Sequence, residues 1–207
     1  MAMALDLMRL RHLNYEGPEI SSGRALRRMP GPLRDLLRRI NGFVAFDGGF
    51  HLRGVCLDPG WHSIQAVMSG PGAFHQLFDN VSPQDVPFAQ DALGDQFLLR
   101  GYRIHLLHAE TGDVEDLEMD LDQFMDAVVE DPLSTLDMAP LHIFMEEGGR
   151  LTPGELLEVE PPLCLRQPGQ PTSFKALACA ERMENLSLLA RRMSLVPDVG
   201  LFDMLNK

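Results

Sequence analysis

The chain has 207 residues, of which 45% are apolar and 23% are charged, and its formal net charge is −12. These values indicate one domain or two small ones with a full hydrophobic core, and they argue against a disordered chain or a fibrous repeat. No apolar run reaches the ~18 residues of a membrane span, and Asp6, Arg9 and Arg11 interrupt any signal-peptide core, so we expect a cytoplasmic protein.

The charge is distributed unevenly along the chain. Residues 1–40 contain eight arginines and four carboxylates, whereas residues 79–160 contain twenty carboxylates and three arginines. A strongly negative surface repels nucleic acids and anionic membranes and attracts cationic partners, so neither nucleic acid nor a membrane is an expected partner. The alternative is that the acidic residues only keep the surface solvated.

The N-terminal part is predicted to be an arm followed by a helix and a hairpin. Residues 1–29 have little periodicity, with at most a short helix at residues 4–13. The segment PLRDLLRRING predicts an amphipathic helix, because its aliphatic residues recur at i, i+3, i+4 and i+7. Asn41 and Gly42 are expected to end this helix, and FVAFDGGFHLRGVCL then indicates a β-hairpin.

The middle of the chain predicts a meander of antiparallel strands. Two short helices are expected between residues 61 and 78. Four apolar runs separated by glycine-containing turns follow, at residues 86–89, 97–99, 104–107 and 114–117. The longest pairing is expected between residues 96–100 and 103–108. A helix should then begin after Asp120, with Gln123 completing a capping box.

The remaining residues give a weaker signal. Residues 141–145 fit either a strand or a helical turn, prolines and glycines indicate turns up to residue 171, and a last helix is expected from Cys179 to Met193. The order of elements predicts an α+β fold, in which helices are segregated from an antiparallel sheet. We assign residues 30–207 to a single domain with a C-terminal extension from about residue 140.

Few residues indicate catalysis or metal binding. His105 and His108 form an H-x-x-H pair, but on a strand they point to opposite faces, so no metal site is expected there. The acidic residues 113–126 lack the glycine of a calcium loop. Neither a disulfide framework nor a catalytic cysteine is indicated, and the cysteines are expected to be small core residues. They are Cys56, Cys164 and Cys179.

The sequence contains no G-x-S-x-G, phosphate-binding P-loop, G-x-G-x-x-G or H-E-x-x-H motif. We therefore predict neither catalytic residues nor a cofactor. One alternative stays open, in which Asp91, Asp95 and Glu110 meet across the meander as acid–base groups of an unrecognised hydrolase. The competing explanation is that Asp95 and Glu110 occupy turn positions, where their side chains bind backbone amides. Trp61, the only tryptophan, is expected to be a core anchor.

Five segments together resemble the SUKH superfamily (Smi/Knr-like), which includes fungal cell-wall-synthesis regulators and bacterial immunity proteins of polymorphic toxin systems. The resemblance covers about residues 30–137. The segments are LRDLLRRINGF, GWHSI, VPFAQDALGDQFLL, ETGDVEDL and LDQFMDAVVEDPL. Their most specific parts are Asn41-Gly42, Trp61 after a glycine, Phe88 with Asp91, Gly94-Asp95, and Glu110-Thr111-Gly112. The resemblance implies an α+β fold with a curved, mainly antiparallel sheet flanked by helices, no known catalytic residues, and a partner protein bound through a variable surface.

The resemblance and the acidic charge together suggest a hypothesis for function. We predict a bacterial immunity protein that binds and occludes a basic toxin domain, with no catalysis of its own. The alternative is a regulatory or scaffold protein of the cell-wall-regulator type. The sequence leaves the oligomeric state open. The expected partner-binding cluster is Glu110, Asp113, Glu115, Asp116 and Glu118.

Overall fold

The computed structural model describes residues 12–70 and 72–195. They form a seven-stranded antiparallel sheet, a separate two-stranded hairpin and eight α-helices, so the predicted α+β class is confirmed. The strands are β1 (Tyr15–Glu16), β2 (Phe43–Ala45), β3 (Phe50–Leu52), β4 (Val86–Asp91), β5 (Gln96–Arg100), β6 (Arg103–His108), β7 (Asp113–Asp116), β8 (Glu155–Glu160) and β9 (Ser173–Ala178). The helices are α1 (Gly23–Arg28), α2 (Gly31–Arg39), α3 (Ile64–Met68), α4 (Phe74–Leu77), α5 (Leu121–Glu130), α6 (Pro132–Thr135), α7 (Ala139–Glu146) and α8 (Cys179–Ser194).

The main sheet follows the chain order from β1 to β7, so every strand pairs with its neighbour in sequence. The expected pairing of residues 96–100 with 103–108 is confirmed, from Gln96 opposite Leu107 to Arg100 opposite Arg103. Short turns explain the order from β4 to β7, because they join antiparallel neighbours, whereas helices connect β1 to β2 and β3 to β4. β1 and β7 are the two edges of the sheet.

The residues predicted to form an N-terminal arm contribute to the fold where they are described. Tyr15 and Glu16 pair with β2, and Leu26 and Met29 are buried in the core. The predicted helix at residues 4–13 lies outside the described residues except for its last two positions, which are not helical.

The core on one side of the sheet is built around α2 and α5. Phe124 on α5 is fully buried, and the centre of its ring lies 4.5 Å from that of Phe97 and 5.8 Å from that of Phe88. The predicted capping box starts this helix: Gln123 N donates to Asp120 Oδ1 at 2.9 Å and Asp120 N donates to Gln123 Oε1 at 3.0 Å. The cap fixes the start of α5, and the apolar face of this helix then covers the sheet.

The C-terminal part differs most from the prediction. The turns expected up to residue 171 are interrupted by β8, which pairs with β9, and residues 141–145 lie in helix α7. The sequence signal for β8 is weak because this strand buries residues at consecutive positions, so its apolar and polar residues do not alternate. Leu156 packs into a second apolar cluster with α8, and Leu157 packs into the main core. The last helix is confirmed, and it begins at Cys179 as predicted.

Candidate functional site

The five carboxylates of the predicted partner-binding cluster lie at and around the edge strand β7. Alternate residues of a strand point to opposite faces, so Asp113 and Glu115 share one face and Asp116 lies on the other. Asp116 Oδ1 accepts a hydrogen bond from Glu118 N at 2.8 Å, which forms a local turn after the strand. The cluster is therefore divided between two faces, and its role in binding stays a prediction.

Glu110 has structural contacts. Its side chain is 13% exposed and accepts hydrogen bonds from Leu163 N at 3.2 Å and Cys164 N at 2.8 Å. Its Oε1 atom lies 3.7 Å from Nη2 of Arg182 on α8. Glu110 thus joins the β6–β7 turn to the short helical turn at Leu163–Leu165.

Two of the five predicted residues, Glu110 and Asp113, line a cavity of about 410 Å³ beside β7. Its walls come from the β4–β5 turn, the end of β6, the β6–β7 turn, β7, the α6–α7 connection and the 163–165 turn. The lining residues are Leu93, Asp95, His108, Glu110, Thr111, Asp113, Asp137, Leu163 and Cys164. Four of them are carboxylates, so the cavity is strongly acidic.

His108 is the positively charged group in this cavity. Its Nδ1 atom lies 3.6 Å from Asp95 Oδ2, and its Nε2 atom lies 3.3 Å from Glu115 Oε2. The neighbouring carboxylate of Asp95, followed by that of Glu115, raises the pKa of His108 to about 9. The imidazolium form is therefore present at neutral pH and offsets part of the carboxylate charge.

We expect the imidazole of His108 to titrate near pH 9 when it is followed by NMR. The Asp95→Asn variant should lower this pKa more than Glu115→Gln does, because Asp95 is the larger cause of the shift. A raised pKa in the folded state means that this interaction stabilises the protein below about pH 6.5 and that the stabilisation is lost as the pH rises through about 9. Titration near pH 6.5, the value of an unperturbed histidine, would contradict the assigned contacts.

The cysteine in the cavity is not activated. Burial, followed by the charge of Glu110, raises the pKa of the Cys164 thiol to about 12. Nucleophilic cysteines have a lowered pKa, so Cys164 has the opposite electrostatic environment. Cys56 and Cys179 are buried as predicted, whereas Cys164 is only partly buried.

The carboxylates of the open acid–base alternative make turn contacts, and two of them, Asp95 and Glu110, also line the cavity. Asp91 Oδ1 accepts hydrogen bonds from the amides of Leu93 and Gly94 at 2.9 Å and of Asp95 at 3.0 Å. Burial, followed by the charge of Asp95, raises the pKa of Asp91. Asp95 Oδ1 in turn accepts from Ala109 N at 2.8 Å. Asp91 and Asp95 therefore hold the turns between strands, as the competing explanation predicts for Asp95.

A second polar cluster, which we call the Arg53 network, is buried inside the sheet. Arg53 is 1% exposed, and in the described part of the chain its hydrogen-bond acceptors are neutral: Gln90 Oε1, Gln96 Oε1 at 2.8 Å and Pro87 O at 3.2 Å. The guanidinium carbon also lies 5.2 Å from the centre of the Phe74 ring. Burial lowers the pKa of Arg53 to about 10, so it stays charged at neutral pH. A buried cation depends on its hydrogen bonds, and among the described residues only the Nε atom of Arg53 lacks a partner in this guanidinium group.

Two histidines extend this network. His62 Nε2 lies 3.1 Å from Asn41 O, so it donates, and His62 Nδ1 then accepts from His51 Nε2 at 2.9 Å. His51 Nδ1 accepts in turn from Gln90 Nε2 at 3.2 Å. Each imidazole is thus neutral with one defined tautomer. Burial is the main cause that lowers the pKa of His51 well below 6.5 and that of His62 to about 4.

Trp61 packs against this network. The centre of its ring lies 5.1 Å from that of His51 and 4.9 Å from that of Tyr15. This supports the predicted role as an anchor, although the side chain is only partly buried. The sequence gave no signal for this network. His51 lies in a short strand and Arg53 follows it, and the apolar pattern of this segment predicted only a hairpin.

No family model matches the chain, and no curated protein sequence is significantly similar to it. Within residues 12–70 and 72–195, no helix is long and apolar enough to cross a membrane. In the same ranges, no group of three or more histidine, cysteine, aspartate or glutamate side chains is arranged to hold a metal ion.

Proposed function

We propose that this chain is a cytoplasmic immunity protein, a non-catalytic module that binds and occludes a basic toxin domain. One observation carries the proposal: carboxylates from separate segments converge on one cavity beside the edge strand β7. A concentrated negative potential accelerates the approach of a basic protein and orients it before contact. The resemblance to the SUKH superfamily supports the same function.

Arginines neutralise the charge on this surface only in part: Arg182 Nη2 lies 3.7 Å from Glu110 Oε1. Residues 79–160 contain three arginines, and the Nη2 atom of Arg100 is already bound to Asp85 at 2.8 Å. The Glu115 side chain is 62% exposed, and Asp113 and Asp137 are exposed as well. A basic partner would therefore meet carboxylates that are available for new ion pairs.

The charged edge strand also favours recognition through side chains. An exposed edge normally invites pairing with another strand, and charged residues on the edge suppress such pairing. Asp113, Glu115 and Asp116 occupy three of the four positions of β7. We therefore expect the partner to bind across the face of this edge and not by extending the sheet.

The proposed function is tested by identifying the partner and its toxicity. The immobilised protein is used to capture partners from its native host, and each captured protein is expressed alone and together with this chain. We expect a basic domain that stops growth alone and permits growth when this chain is co-expressed. Capture of no stoichiometric partner, or of one that is harmless when expressed alone, contradicts the proposal. A harmless cell-wall enzyme or regulator would favour the scaffold alternative.

The binding surface is tested by charge reversal. In Asp113→Lys/Glu115→Lys we expect the association rate with the captured partner to fall about tenfold at low salt, with a weaker salt dependence. The matched control is Glu16→Lys/Glu19→Lys, which changes the net charge equally and includes an exposed residue of the opposite edge strand. Stopped-flow association measures both variants. Equal rates for wild type and the β7 variant would show that this surface is not the binding site.

A further inference from the structure

The loop that joins β8 to β9 is longer than a hairpin requires. The two strands pair up to Glu160 opposite Ser173, so residues 161–172 form the loop, whereas ~2–5 residues close most hairpins. Compact surface loops of this length, with ends that lie close together, are frequently functional. We call residues 161–172 the strap.

The strap forms one wall of the cavity beside β7. Leu163 and Cys164, in the helical turn near its start, line this cavity of about 410 Å³, and Leu163 also packs against the main core. Residues 166–171 are exposed to solvent. The strap therefore has an apolar base against the cavity and a polar end in water, and movement of the base would widen the cavity on this side.

A single carboxylate holds the base of the strap. Glu110 accepts hydrogen bonds from Leu163 N at 3.2 Å and Cys164 N at 2.8 Å. The other hydrogen bonds that the strap makes with described residues stay inside it, as from Arg166 N to Leu163 O at 3.3 Å. Within residues 12–70 and 72–195, Glu110 is thus the only group outside the strap that accepts hydrogen bonds from it.

Glu110 is positioned independently of the strap. It lies in the turn between β6 and β7, its side chain is 13% exposed, and its Oε1 atom lies 3.7 Å from Nη2 of Arg182 on α8. Arg182 Nη1 also lies 3.7 Å from Glu158 Oε1 on β8. The carboxylate therefore stays next to a positive charge after the strap leaves it, and the same two hydrogen bonds can form again.

We propose that the strap opens and closes over the cavity beside β7 and that Glu110 holds it in the closed position. Opening breaks two hydrogen bonds and the packing of Leu163, while the pairing of β8 with β9 stays intact, so it needs far less free energy than global unfolding. The open form admits molecules to the cavity from the side that the strap covers. This inference concerns the free protein and does not depend on the proposed function.

The thiol of Cys164 can report the opening. The protein is treated with iodoacetamide under native conditions, and modification of Cys164 and of the buried Cys179 is followed by mass spectrometry. In the closed form the Cys164 thiol is partly buried and its pKa is about 12, so it should react in the open form, with the pKa of about 8.5 of an exposed thiol. We expect the rate at Cys164 to level off above about pH 9. A rate that still rises about tenfold from pH 9 to pH 10 would show reaction in the closed form and overturn the inference.

Urea separates strap opening from global unfolding. Local opening exposes little surface, so about 1 M urea should change the rate at Cys164 by less than about twofold. Modification of Cys179 requires unfolding of the core, and its rate should rise more than about tenfold. An equal urea dependence at the two cysteines would mean that Cys164 reacts only through global unfolding, and the strap would then not open on its own.

The role of Glu110 is tested by Glu110→Asp. Aspartate keeps the negative charge beside the Cys164 thiol but is one methylene shorter, so it cannot reach both amides. We expect the rate at Cys164 to rise at least about tenfold, while its urea dependence stays small. The matched control Glu184→Asp, at an exposed position of α8, should leave the rate unchanged. An unchanged rate in Glu110→Asp would contradict the inference, whereas the proposed function is judged separately by partner capture and growth.

Discussion

The Gln90→Leu substitution is expected to lower the free energy of unfolding by about 3 kcal/mol, because it leaves the buried Arg53 cation without one of its acceptors. Leucine is of similar size, so little of this loss comes from packing. Gln90 also donates to His51 Nδ1, and that acceptor loses its partner as well. Urea unfolding at pH 7 measures the change.

The companion variant Arg53→Met tests the effect of the buried charge separately from the effect of lost packing. Methionine removes the buried cation and fills much of the same space, so we expect a smaller loss than in Gln90→Leu. In the double variant Arg53→Met/Gln90→Leu the two losses should be less than additive by at least about 1 kcal/mol, because the leucine no longer faces an unsatisfied cation. The exposed control Gln76→Leu should change stability by less than about 0.5 kcal/mol. Additive losses, or a larger loss for Arg53→Met, would show that Gln90 does not act by satisfying the cation.

Acidification from pH 7 to pH 5 is expected to destabilise the protein through His51 and His62. Both have a lowered pKa in the folded state, so they stabilise the protein above about pH 6.5 and this stabilisation is lost as the pH falls towards their folded values, about 4 for His62. Between pH 7 and pH 5 His62 takes up a proton in the unfolded chain but stays neutral in the folded chain. This difference lowers the free energy of unfolding by about 2 kcal/mol. His51 adds to the loss.

Two groups act in the opposite direction, and the measurement must separate them. The raised pKa values of His108 and Asp91 mean that acid favours the folded state at those sites. Urea unfolding at pH 7 and pH 5 is therefore compared for wild type and His108→Gln, and we expect the variant to lose more stability on acidification. Imidazole NMR should show His51 and His62 neutral at pH 5. Protonation of either ring above pH 6 would contradict the buried neutral pair.

The local signals in the sequence predicted most of the elements. Glycine-containing turns and short apolar runs were sufficient for the meander, since such turns join neighbouring strands without any long-range information. The spacing of three residues between Asp120 and Gln123 likewise predicted the start of α5. The β8–β9 hairpin was missed because its residues pack on two different clusters, so no simple alternation marks them.

The candidate site was predicted only in part. Glu110 and Asp113 were singled out from the density of acidic residues, and both line the cavity. Asp95 was considered only as an acid–base partner of Glu110 across the meander, and Asp137 was not singled out, because it lies in a turn that is distant in sequence. The Arg53 network was missed for a related reason: its members come from β3, β4, β5 and the segment before α3, and no spacing connects them.

The sequence by itself determined the acidic charge, the meander and the helices on its flanks, because charge is a sum over residues and each turn, cap and apolar stripe acts over a few positions. Only the tertiary structure decided which carboxylates surround a cavity and which polar groups are buried together. Such groupings depend on how distant turns meet, and burial changes the free energy of a charge far more than its neighbours in sequence do.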